Sequence, residues 1–227
     1  MHRCVWLLVA LVAMITAGAG ELLTQQVRAS GAFRIARLKY AGGGDWYNDP
    51  TAETNLLEFI RRETGLAVDA SFTPVEATGD ELFAYPFLFL TGHGNIALSE
   101  AEVRTLRTYL EQGGFLYADD DYGMDGAFRR ELARILPGET LVELPFSHPL
   151  YATPFAFPGG PPKTHEHDDL PPRGFGIVRE GRLVLYYTVE SNPSDGWADP
   201  EVHGDSEEKR QEALRFGTNI VITALTQ

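Results

Sequence analysis

Apolar positions along the chain change period several times, and each change marks a new element. Over 33–39 (FRIARLK) apolar and basic residues alternate, the two-residue period of a strand. A glycine-rich turn, 40–48 (YAGGGDWYN), follows. Asp49 and Pro50 then suit a helix start, with Leu56, Leu57, Phe59 and Ile60 as its apolar face and Gly65 as its stop. Strict alternation over 66–72 (LAVDASF) predicts a second strand. The run 87–90 (FLFL) is apolar throughout, as in a strand covered on both faces. Ser99 and Glu102 stand at capping-box spacing, ahead of Val103, Leu106 and Leu110 at helical spacing, and Gly113-Gly114 ends that helix. The apolar run 115–118 (FLYA) leads straight into Asp119-Asp120-Asp121. Asp125 is placed to cap a helix carrying Phe128, Leu132 and Ile135, closed by Pro137-Gly138. A short strand over 141–144 and paired strands at 176–178 and 182–189 come next. The chain closes on a helix over 206–225, with Ala213, Leu214, Phe216, Ile220 and Val221 inward.

Strands alternating with helices predict an α/β fold: a three-layer sandwich around a mostly parallel sheet. Ligands bind such sheets in the crevice beyond the carboxyl ends of the strands. Four polar turns fall just past strand ends, at 42–47, 92–95, 119–122 and 191–197, and are expected to converge there. The segment 145–172 has a different character. It holds eight of the 14 prolines, four aromatic residues and the run His165-Glu166-His167-Asp168-Asp169, and it reads as a long insert of the lid, binding-loop or mobile kind.

Residues 1–20 carry a short basic start, an apolar run and Ala17-Gly18-Ala19, the pattern of an export signal that is either cleaved or kept as an N-terminal anchor. A linker over 21–32 then precedes a single domain over 33–227. Both fates place the domain outside the cytoplasm, periplasmic or extracellular, with the membrane met only through residues 4–20. Cys4 is the sole cysteine, so the exported part has no disulfide, no thiol nucleophile and no Cys-type zinc site. The net charge of −13 argues against a nucleic-acid partner, which needs a basic face.

Six motifs carry a family resemblance: DWYNDP at 45–50, TGHGN at 91–95, the Leu106-to-Asp120 stretch, ELPFSHPLY at 143–151, SNPSDGW at 191–197 and LRFGTNIVITAL at 214–225. Together they resemble the bacterial family called domain of unknown function 4159. The resemblance implies a class I glutamine amidotransferase-like (flavodoxin-like) fold, close to that of the ThuA-like proteins, and no established activity. Where amidotransferases carry their nucleophilic cysteine, this sequence has Asp119 and Asp120. Where they carry the histidine, it has 189–192 (VESN). Attack on a glutamine amide requires a thiolate–imidazole pair, so that mechanism is set aside.

The candidates for chemistry are Asp119, Asp120, His93 and His148. Asp119, Asp120 and Asp121 are weighed as pocket carboxylates against a role in capping or turn closure, with Asp119 and Asp120 favoured. His93 sits between Gly92 and Gly94, which let a ligand approach the backbone closely. His148, with His93 and an aspartate, offers a two-histidine, one-carboxylate metal set that no local spacing requires. Asp45-Trp46 and Asp195 with Trp197 pair a carboxylate with an indole, as sugar sites do, and Asn192 lies in the same turn as the second pair. The run 165–169 reads as a solvated polar loop. The leading expectation is a binding module of the cell envelope that takes a small polar ligand, with carbohydrate as one class, or an envelope protein, with no cofactor expected. The alternative is a hydrolase with reassigned Asp and His residues, assisted by a divalent metal. A purely structural envelope protein is the third reading.

Overall fold

The computed structural model describes residues 31–165 and 167–227, so the expected export segment and most of the linker lie outside the described residues. Its strands are β1 (Ala36–Lys39), β2 (Pro74–Glu76), β3 (Phe87–His93), β4 (Phe115–Tyr122), β5 (Val142–Glu143), β6 (Arg173–Arg179) and β7 (Arg182–Val189). They form one sheet in the order β2-β1-β3-β4-β7-β6-β5. The first five are mutually parallel, and β6 and β5 add an antiparallel edge. The helices are α1 (Ala52–Thr64), α2 (Glu100–Glu111), α3 (Asp125–Ile135), the short α4 (Pro200–His203) and α5 (Glu207–Thr226).

The unbroken apolar run of β3 is explained by what covers it. Phe87 and Phe89 face α1 and α5, while Leu88 and Leu90 face α2 and α3. Phe115 and Tyr117 of β4 join the first layer; Leu116 and Ala118 join the second. Each buried Phe or Leu side chain contributes about 1.5–3 kcal/mol, so these two central strands hold both halves of the core to one sheet. The result is an α/β sandwich of three layers. No helix among the described residues is long and apolar enough to cross a membrane.

Three local expectations are corrected. The second strand is β2, not 66–72. Within that stretch only Val68 bridges to Phe33, because Leu66, Val68 and Ala70 pack half-buried against the α1–α5 layer rather than in a ladder. Asp49 does not cap α1; its backbone is left-handed (φ 44°) and Thr51 stands at the cap. Asp125 is the first residue of α3 rather than its cap, and Asp120 takes that role. The Ser99–Glu102 capping box forms as the spacing predicts.

The proline-rich insert is tied down at its centre. Leu150, Tyr151 and Phe157 are buried against α5. Asn219 of α5 accepts from the Phe155 amide and donates to the carbonyls of Leu150 and Phe155 at 2.8 and 2.7 Å. One side chain thus replaces the ladder that this irregular backbone lacks.

Candidate functional site

Because β1, β3, β4 and β7 are adjacent and parallel, their carboxyl ends open on one edge of the sandwich. The three aspartates ending β4 alternate across the sheet and meet three different fates. Asp119 is fully buried and accepts from Ser194 N (3.0 Å), Ser194 Oγ (2.6 Å) and Thr188 Oγ1 (2.5 Å). Burial pushes its carboxyl up to about 7, against those hydrogen bonds. Asp120 points to the other face, where it accepts from the amides of Met124 and Asp125 and so caps α3. Asp121 returns to the first face and enters an acidic cluster.

That cluster is drawn from five segments. Asp49 comes from the loop after β1, Asp121 from the end of β4, Asp195 from the turn after β7, His165 from the proline-rich insert and His203 from the end of α4. One oxygen from each of Asp49, Asp121 and Asp195 lies within 4.8 Å of the others, and so do ligand atoms of His165, Asp195 and His203. His165 Nδ1 is 2.6 Å from Asp195 Oδ2, and His203 Nε2 is 3.0 Å from Asp49 Oδ1. His165 Nε2 is 3.3 Å from Asp205 Oδ2.

The protonation pattern follows from this crowding. Burial, and then the charges of Asp195 and Asp119, push the Asp121 carboxyl far above the usual range. Burial pushes Asp195 the same way, but His165 and His203 outweigh it and hold Asp195 low. The bond to Asp195 raises His165, and the bond to Asp49 raises His203. One carboxyl therefore keeps its proton while its neighbour stays ionised.

Adjacent to this, Asp45 accepts from His93 N at 2.6 Å, and His93 Nδ1 lies 3.0 Å from Asp45 Oδ2 and 3.3 Å from Asp121 Oδ2. Asn48 and Asn192 both donate to Asp121. Asn192 also bonds His167 Nε2 (2.8 Å), whose ring stacks on Tyr122 at 4.6 Å between centroids. Beyond His167 opens a cleft of about 260 Å³, walled by Asp120, Tyr122, Asp125, His167, Asp168 and Glu190.

The sequence candidates thus divide. Asp45, His93, Asn192 and Asp195 converge at the strand ends, and Asp120 reaches the cleft wall. Gly92 and Gly94 line the His93 turn, both with positive φ. Asp119 lies beneath the cluster with both oxygens engaged. Trp197 is not a pocket ring: it is 1% exposed, packed on Phe89 and Tyr117, and its indole N–H is bonded to Ala213 O. Trp46 packs partly buried on the core with Lys39 over its ring. His148 caps the 149–151 turn through Nδ1, burial alone lowers its pKa, and among the described residues no carboxylate is paired with it. Among the described residues His93, His148 and an aspartate do not form a group close enough to share a metal ion. His165 and His167 are not merely solvated loop residues either, since they face the cluster and its neighbour. Sequence reasoning missed Asp49, Asp121, His165 and His203 as one group. The HEHDD run was a signal for His165, while nothing local marks His203.

An α/β sandwich with an acidic, histidine-bearing crevice at the carboxyl ends of its parallel strands is the class that fold and site define. Within that class, the chain belongs to the family described as Domain of unknown function (DUF4159), whose model matches residues 34–225. No curated protein matches the chain.

Proposed function

We propose that this domain is an exported, amidotransferase-like binding module that takes a small polyhydroxylated ligand at the strand-end crevice. The observation that carries this reading is the cleft beside Tyr122. It combines an aromatic wall, Tyr122 stacked with His167, with the carboxylates of Asp120, Asp125, Asp168 and Glu190. Rings pack against the apolar face of a sugar and carboxylates accept from its hydroxyls, and a pocket of this kind needs only a few placed polar groups. Export rests on the signal-like pattern of residues 1–20. The test is calorimetric titration of chelator-treated protein with neutral and amino sugars. Binding that Tyr122→Ala weakens supports the reading; no heat from any sugar turns attention to an envelope protein as the partner.

A second reading has its own support. Two neighbouring carboxyl groups whose environments drive their pKa values apart are the arrangement of an acid and a base. Asp121, neutral, and Asp195, ionised, form such a pair. A hydrolase would use them in those roles. Turnover of chromogenic esters or glycosides, lost in Asp121→Asn, is its test.

A further inference from the structure

We propose that Asp49, Asp121, Asp195, His165 and His203 form a binding site for a divalent first-row metal ion, Mn²⁺ or Zn²⁺. The proposal goes beyond the sugar-binding reading and does not depend on it.

The first argument is the unmet acceptor. Asp195 is buried, and its Oδ2 is taken by His165. Its Oδ1 is buried and receives no hydrogen bond from an amide, hydroxyl or imidazole among the described residues; His203 Nε2 stands off at 4.0 Å. The remaining group that bonds Asp195 is the Asp121 carboxyl, itself only an acceptor when ionised, and a cation would satisfy both buried groups at once. Asp195 lies amid the two acidic neighbours and two imidazoles described above.

The second argument is the repulsion. Like charges this close repel, the more so where burial keeps water from screening them. Here three crowd together, two of them almost fully buried. A divalent cation placed among them would offset that repulsion, since buried charges are stable only when paired or bound to a metal.

The third argument is how His165 is held. Metal-bound imidazoles commonly donate their second N–H to a carboxylate, which fixes the tautomer. Asp205 Oδ2 is buried, has no other partner among the described residues, and lies 3.3 Å from His165 Nε2. That contact leaves Nδ1 directed at Asp195. The donor set, carboxylate oxygens with imidazole nitrogens and no thiolate, suits Mn²⁺ and Zn²⁺. Access is from the histidine side, where both imidazoles are 24% exposed while Asp121 and Asp195 are 3% and 2%.

The experiment uses the full-length protein, stripped with chelator and titrated with MnCl₂ and, separately, ZnCl₂ by calorimetry and thermal melting. One ion per chain and a raised melting temperature are expected. His165→Gln and His203→Gln should each weaken binding at least roughly tenfold, with each metal-induced rise in melting temperature read against that variant's own stripped form. His148→Gln, away from the cluster, should bind as wild type. Absence of saturable binding overturns the proposal, and so does binding that both histidine variants leave unchanged. Metal binding with no sugar binding counts against the sugar reading alone.

Discussion

Arg37 and Glu53 form a fork-to-fork ion pair, Nε to Oε1 at 2.5 Å and Nη2 to Oε2 at 2.7 Å, with neither side chain more than 1% exposed. The remaining arm of Arg37 donates to the carbonyls of Trp46 and Asn48 at 2.9 and 3.0 Å. This guanidinium therefore holds the loop that carries Asp45 and Asp49, and Glu53 holds the guanidinium. Removing one partner of a buried pair strands the other charge, at about 3–5 kcal/mol. Glu53→Gln should lose about that much in urea unfolding and should also weaken metal binding through the loosened loop. Unfolding unchanged within about 1 kcal/mol would mean that Arg37 finds another counter-charge.

Asp195→Asn should part stability from binding. Its carboxamide oxygen can still accept from His165, and its NH₂ can donate toward the neighbouring carboxylates, which keeps the loss small. The histidines hold the Asp195 carboxyl low, so the folded state favours its charge, and the stripped variant should be less stable than stripped wild type by about 1 kcal/mol, seen as a fall of about 2–4 °C in melting temperature. It should bind neither Mn²⁺ nor Zn²⁺ measurably. A stripped variant that melts higher would show that the crowding of the carboxylates strains the fold more than the charge of Asp195 supports it.

Asp119 predicts a pH dependence. Its folded pKa, about 7, lies above its ordinary 3.8 because the group is buried. The folded state therefore holds a proton that the unfolded chain releases. The resulting stability is complete below about pH 4 and is lost as pH rises through about 7, amounting to at most about 4 kcal/mol. The raised histidines act in the same sense. Asp119→Asn should flatten the slope. The amide oxygen can accept from Ser194, and its NH₂ can donate to Thr188 Oγ1, which turns its own hydrogen toward Tyr117 or Ala118. Chemical denaturation of stripped protein between about pH 5 and 8 measures this; a variant with the wild-type slope would mean that Asp119 is ionised throughout.

How much of this was legible in the sequence depends on distance along the chain. The two-faced strands were plain because burial on both sides forces a continuous apolar run, as in 87–90 and 115–118. The capping box at Ser99 was plain because both partners lie within one turn. The edge strand at 74–76 was missed because three residues leave almost no period to read. The site was legible only as strand ends. That Asp121, rather than Asp119 or Asp120, joins the cluster depends on which face of β4 each side chain takes and on what stands opposite. Thr188 and Ser194 absorb Asp119, and the α3 amides absorb Asp120, and both sets of partners are set by tertiary structure. His203 reaches Asp49 across a separation of 154 residues, and no local pattern encodes that contact. Trp197 misled because a Trp beside an Asp in a polar turn looks exposed, whereas Gly217 of α5 leaves a gap into which the indole packs.

Gly92 and Tyr40 supply the last prediction. Gly92 has φ 141°, and a Cβ there would stand 2.2 Å from Tyr40 Oη and 3.0 Å from Asp45 Oδ1. Tyr40 Oη meanwhile donates to Thr91 O at 3.0 Å. Gly92→Ala should therefore cost about 2–4 kcal/mol from strain and overpacking together. Tyr40→Phe alone should cost about 1 kcal/mol for the lost hydrogen bond. In the double variant the offending hydroxyl is gone, so the combined loss should fall short of the sum by about 1 kcal/mol or more, as expected of residues in contact. Part of the loss should persist, because removing the hydroxyl relieves neither the backbone strain nor the crowding of Asp45. Strict additivity would mean that the penalty at Gly92 comes from φ and Asp45 alone. In that event Gly92→Ala would act on the site through Asp45 and its bonds to His93, and metal or sugar titrations of the single variant would carry the whole effect.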